Sequence, residues 1–228
     1  LTPERTGLTR DLNFFLAAFS LAAVALFVPH DTSLFRALLA FGMVLIYFIY
    51  IMLTLRASAH LVKDGHGTAA EGRMMLCKLG LPENMLIILL QLALGLLLLV
   101  GGAKGFINGV DEAAKLLAIS PLLLSLLIIP IATELPEKVN SILWIRRRKD
   151  TLAFGNITGA MVFQGTLLPA IGVMLTPWIP QREVLAGIVI TLLAASWLRY
   201  IASREQLKVW HLAFNGALYA TYLGIVLA

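Results

Sequence analysis

The sequence is poor in charge and poorer still in cysteine. Only 14% of its 228 residues are Asp, Glu, Lys or Arg, against about 25% in a soluble domain. That scarcity excludes a water-soluble globular protein and a disordered chain. The single cysteine, Cys77, excludes an intrachain disulfide and with it a secreted disulfide scaffold. There are four histidines (His30, His60, His66 and His211) in loops or at the ends of apolar runs, and none forms an HExxH motif. No G-x-S-x-G occurs. The motifs of an intramembrane hydrolase are therefore missing, and an enzyme is not expected. Residues 1–11 lack the apolar core of a signal peptide. What the chain has in abundance is apolar: 59% of residues are hydrophobic and mean hydropathy is +0.87.

A membrane span needs about 20 apolar residues. Seven runs qualify, at about 12–28, 34–55, 84–108, 119–145, 151–176, 184–201 and 208–227. In lipid every backbone polar group needs an internal partner, so these runs must be helices. The expected fold is an all-α, polytopic transmembrane bundle of about seven spans. The stretch 56–83 is polar and reads as a cytoplasmic loop, a hinge between two bundles. With the N-terminus in the cytoplasm, thirteen of the 18 basic residues fall inside, four (Arg36, Lys104, Lys115 and Arg182) fall outside, and Lys138 lies within a span. That bias orients the protein and places its C-terminus outside. The net charge of +5 is explained by these loops, with no nucleic-acid role. The run Arg146–Lys149 is only four residues long, at a membrane edge where it meets anionic lipid. Gly101, Gly105 and Gly109, spaced i, i+4, i+8, leave one face of the third span bare for tight helix packing.

Of thirteen acidic residues, eleven sit in loops or at the ends of apolar runs, Asp11 among them. Only Glu134 and Glu137 lie inside one, in SPLLLSLLIIPIATELPEKVNSILWIRRRK. If that helix meets the cytoplasm at Arg146, its midpoint falls near residue 136, between them. A charge at the bilayer centre costs roughly 2.5–3.5 kcal/mol, so the pair costs about 5–7 kcal/mol. Eleven Leu and Ile residues between Leu116 and Ile131 return about 3–7 kcal/mol. The span inserts with little margin, and carboxylates placed so expensively mark an ion or proton path.

Proline supports this reading. Pro130 and Pro136 each remove a backbone donor and free a carbonyl one turn back; for Pro136 that carbonyl belongs to Ala132. A broken helix at the midplane, with carbonyls, hydroxyl and carboxylate converging, is how secondary transporters coordinate cations. Ca2+ takes six to eight oxygens. Thr133, Glu134, Glu137 and Asn140 offer side-chain oxygens within two turns. The next run, TLAFGNITGAMVFQGTLLPAIGVML, carries Asn156, Thr158 and Gln164 among apolar residues, with Gly155, Gly159 and Gly165 allowing close approach. The RRRKD connection is so short that the two spans must pack as an antiparallel hairpin, which lets Asn156, Thr158 and Gln164 face the glutamates.

LLAISPLLLSLLIIPIATELPE, then a basic turn, then FGNITGAMVFQ, resembles the second alpha-repeat of the cation/calcium antiporter superfamily, the membrane region of sodium/calcium exchangers. The resemblance covers about 84–176. Thr133, Pro136 and Glu137 match the first signature's threonine, helix-breaking proline and essential glutamate. Asn156 and Gly159 match the second signature. Ala132 stands in place of the usual glycine, Glu134 and Ala160 in place of serines, Met161 in place of asparagine, and Gln164 where aspartate or asparagine is usual. The resemblance implies ten helices in two inverted repeats with a shared site, of which this chain supplies helices 4–10. Residues 1–55 would be two helices of the first half, and 84–228 the second repeat with five helices.

It further implies exchange of Ca2+ or another cation for Na+ or H+ by alternating access, with no cofactor. Glu137 and Glu134 would be metal ligands, Thr133 and Gln164 accessory ligands, and Pro136, Asn140, Asn156, Thr158 and Gly159 supporting residues. Like charges at i, i+3 resist ionising together, which favours a proton at the site, so Na+ and H+ both stand as coupling ions. The expected partners are the lipid bilayer, the cations and a first repeat. That repeat would lie upstream in a longer chain, since the sequence begins without methionine, or in a partner subunit. The expected location is the plasma (inner) membrane of a prokaryote. The rival is a non-transporting membrane scaffold whose glutamates are structural.

Overall fold

The computed structural model describes residues 5–29, 31–63, 74–118, 124, 134, 137–204 and 207–227. No strand occurs among them. The long helices are α1 (Arg5–Ala25), α2 (Ser33–Lys63), α4 (Met85–Leu117), α6 (Asp150–Leu175), α7 (Arg182–Arg204) and α8 (Val209–Leu227). Between them lie the short α3 (Met75–Lys78) and α5, described over 137–146. Five of these, α1, α2, α4, α6 and α7, are long and apolar enough to cross a membrane. Helix α8 coincides with the seventh expected run. The fourth expected span is described only at Leu124, Glu134 and from 137 onward.

Several helices outrun their apolar stretches. Helix α1 begins seven residues before the expected run, so Asp11 is helical and not in a loop. Helix α2 continues to Lys63, and α4 carries Asp111, Glu112 and Lys115 in its last turns. The physical reason is general. Bilayer thickness limits the apolar stretch, while helical hydrogen bonding continues through any residues that tolerate it.

The chain divides into two compact units, Leu1–Ala57 with Glu134–Ala228, and Ser58–Thr133. In the second unit, Asn84 caps α4 by accepting a 2.9 Å hydrogen bond from the Ile87 amide. The α3 start is held by the Leu76 amide donating to Gln91 Oε1 at 3.0 Å. Val110, Ala114 and Leu124 form a small buried cluster there.

In the first unit α1 packs on α6 and α7, and α7 on α8. Three apolar clusters run along α1. Leu8 and Leu12 meet Ile201, Ala202 and Leu207. Phe15 meets Val162 and Ala195. Ala22 and Ala25 meet Ala170 and Val173. Helix α6 approaches α1 closely because Gly165 presents no side chain; a Cβ there would lie 2.5 Å from the Phe15 ring. The far end of α6 is stapled twice. Trp178 lies over Gly172 and donates its indole N–H to the Ala22 carbonyl at 3.2 Å. Arg36, on α2 and only 5% exposed, donates to the carbonyls of Val173, Thr176 (2.7 Å) and Pro177 (3.0 Å). Counted from the sequence only for its charge, it is a buried clamp on a helix C-terminus.

Candidate functional site

The site is built on the α5–α6 hairpin. Helix α5 ends at residue 146 and α6 begins at Asp150, so three residues make the turn. Arg148 takes a left-handed conformation, φ 58°, and the Lys149 amide returns to the Trp144 carbonyl at 2.8 Å. This closes α5 tightly enough for the two helices to run back along each other. Glu137 lies nine residues before the end of α5, about 14 Å at 1.5 Å per residue. Half a hydrocarbon core is about 15 Å.

Asn156 joins the two helices. Its Nδ2 donates to the Glu137 backbone carbonyl at 3.2 Å and to Ser141 Oγ at 3.3 Å. Ser141, itself 2% exposed, donates to the Ala153 carbonyl at 3.3 Å. The Glu137 carboxylate is different. Its Oε2 is buried and has no hydrogen-bond partner among the described residues. A buried carboxylate oxygen left unpaired is costly, and a bound cation or a proton would relieve that cost. Glu134 is placed otherwise. It pairs with Lys138 one turn on, and both side chains are partly exposed (38% and 55%).

The structure thus brings Glu137, Asn156 and Ser141 together, and Ser141 was not singled out from the sequence. Thr158 is turned away from the glutamates. Its hydroxyl donates to Asp11 Oδ2 at 2.6 Å, within the first unit's core. Gly159 faces α2, where a Cβ would meet the Tyr50 hydroxyl at 3.6 Å. Gln164 and Asn140 are exposed. Thr133 and Pro136 lie outside the described residues. Among the described residues no three His, Cys, Asp or Glu side chains cluster as a metal site.

A bundle with five helices long and apolar enough to cross a membrane defines an integral membrane protein, and one oxygen of its Glu137 carboxylate is buried without a partner among the described residues. Comparison with known proteins makes the class particular. The family described as sodium/calcium exchanger protein matches residues 87–228, a stretch that holds the whole α5–α6 site. The chain belongs to that family. It is 36% identical over 86 residues to CaxA of Alkalimonas amylolytica, a candidate antiporter by name, covering 38% of this chain and 27% of that protein. It is 27% identical over 114 residues to the inner membrane protein YrbG of Escherichia coli K12, covering 50% and 35%. It is 28% identical over 96 residues to the sodium/calcium exchanger MaX1 of Methanosarcina acetivorans, covering 42% and 27%. The matched stretches are thus about a quarter to a third of these relatives' lengths. No solved structure matches the chain significantly.

Proposed function

We propose that this chain is the second-repeat part of a secondary active antiporter, exchanging Ca2+ or another cation for Na+ or H+ across a prokaryotic inner membrane by alternating access. One observation carries the proposal: Glu137 Oε2 is buried and unpaired, on a residue whose backbone carbonyl is held by the Asn156 amide. Family membership supports it, as do relatives named as an exchanger and as a candidate antiporter. Glu137 is then the principal cation ligand. Glu134, already neutralised by Lys138, serves as a second ligand or proton carrier, with Thr133 and Gln164 as accessory ligands. The remaining ligands come from a first repeat, in a longer chain or in a partner subunit. The N-terminus of this chain lies inside and its C-terminus outside.

The test is gradient-driven Ca2+ flux in proteoliposomes holding the full-length protein. Glu137→Gln keeps the shape and removes the charge, and flux should fall to the level of empty vesicles. Wild-type flux in that variant would refute the assignment. Carbodiimide labelling separates the scaffold alternative. Labelling of Glu137 that Ca2+ prevents supports transport, whereas a dry scaffold would block labelling and Ca2+ would change nothing.

A further inference from the structure

Asp11 is 3% exposed, well inside α1 and far in sequence from the hairpin. Both of its oxygens are engaged. Oδ1 accepts from Arg10 Nε at 3.1 Å and Nη2 at 2.9 Å, and Oδ2 accepts from the Thr158 hydroxyl at 2.6 Å. Both oxygens of this carboxylate already have donors, and the Arg10 guanidinium neutralises its charge. The Thr158 bond is the short, charge-assisted kind, and it crosses between helices.

Thr158 and Asn156 are two residues apart on α6, about 200° around the helix. One face of α6 is therefore tied to Asp11 and the nearly opposite face to the Glu137 carbonyl. The two ties lie about 3 Å apart along the axis. A side-chain tip about 5 Å from the axis moves about 0.9 Å for a 10° rotation. That is enough to carry the 3.2 Å Asn156 bond beyond hydrogen-bond range. Resting on the function proposed above, we infer that Asp11 is a positioning residue. Through Thr158 it fixes the rotational setting of α6 and so the aim of Asn156 at the Glu137 backbone, without touching the transported ion.

The charge and the hydrogen bond are separable. In Asp11→Asn the amide oxygen still accepts from Arg10 while the amide nitrogen donates to Thr158, whose hydroxyl then donates to the Phe154 carbonyl, 2.9 Å away. Asp11→Ala and Thr158→Val break the tie; Thr158→Ser keeps it. Two readouts apply to the full-length protein. The first is the dependence of proteoliposome flux on Ca2+ concentration. The second is the rate of disulfide cross-linking between Ser141→Cys and Ala153→Cys in a Cys77→Ser background in native membranes. Asp11→Ala and Thr158→Val should raise KM on the order of tenfold, leave Vmax within about twofold and slow cross-linking. Asp11→Asn and Thr158→Ser should match the parent in both.

Wild-type KM and cross-linking in Asp11→Ala and Thr158→Val would overturn the inference, leaving packing alone. Failure of Asp11→Asn alongside Asp11→Ala would also overturn it, because the charge itself would then be in use. If the unmutated protein carries no cation, the proposed function fails, and the cross-linking rates alone decide the positioning claim.

Discussion

Arg36 offers the clearest quantitative test of how the bundle is held. Replacing it with alanine removes three hydrogen bonds to the carbonyls that end α6. It also removes a cation from a helix C-terminus, worth up to about 2 kcal/mol when partly buried. Bonds from a charged donor contribute about 1.5–3 kcal/mol each, so simple addition would exceed 4 kcal/mol. Two of the three acceptors are only part-buried, and water or lipid headgroups replace some of what is lost. The expected cost is therefore about 2–4 kcal/mol. At roughly 2–4 °C per kcal/mol for a chain of this size, the melting temperature should fall by about 4–16 °C. Arg36→Lys should recover less than half of this, because one ammonium cannot fork to three carbonyls. Fluorescence-detected size exclusion after heating, in mild detergent, reads the shift. An alanine variant within 1–2 °C of wild type, or a lysine variant as stable as wild type, would refute the clamp.

Asn156→Ala leaves the Glu137 carbonyl and the Ser141 hydroxyl without a donor; it should lower stability by about 0.5–1.5 kcal/mol and cut cation flux, read by thermal stability and proteoliposome uptake. Asn156→Asp, which cannot donate, should be worse, and equal or better flux in it would contradict the geometry. Gly165→Ala puts a methyl group 2.5 Å from the Phe15 ring, and overpacking of that kind costs about 1–3 kcal/mol. The companion change Phe15→Leu should recover part of the loss in the same heating assay.

The sequence pattern revealed the hairpin and the meeting of Asn156 with the glutamate helix, because a very short basic turn between two apolar runs leaves no other packing. It misdirected the reading of Thr158. Residues 156 and 158 are about 200° apart on a helix, so both could not face one neighbour; that constraint was available from spacing alone. Asp11 and Arg36 were harder. Locating spans by apolar runs leaves Asp11 outside the first span, whereas α1 continues through it and buries it against α6. Arg36 lay at the start of an expected span, but its partners at the end of α6 are 137 to 141 residues away in sequence. Ser141 carried no signal at all. Its role depends on the register of α5 against α6, which only the packed structure fixes.

The three-residue turn between α5 and α6 bears on biogenesis. The glutamate-bearing span has an insertion balance close to zero, while α6 is apolar enough to cross unaided. So short a connection brings the second helix beside the first as soon as both have emerged, and each then offers the other a packing surface. On the orientation proposed above, the basic residues Arg146–Lys149 at the hairpin tip favour its retention on the cytoplasmic side. A ribosome stalled between the two helices would hold a span not yet committed to the membrane.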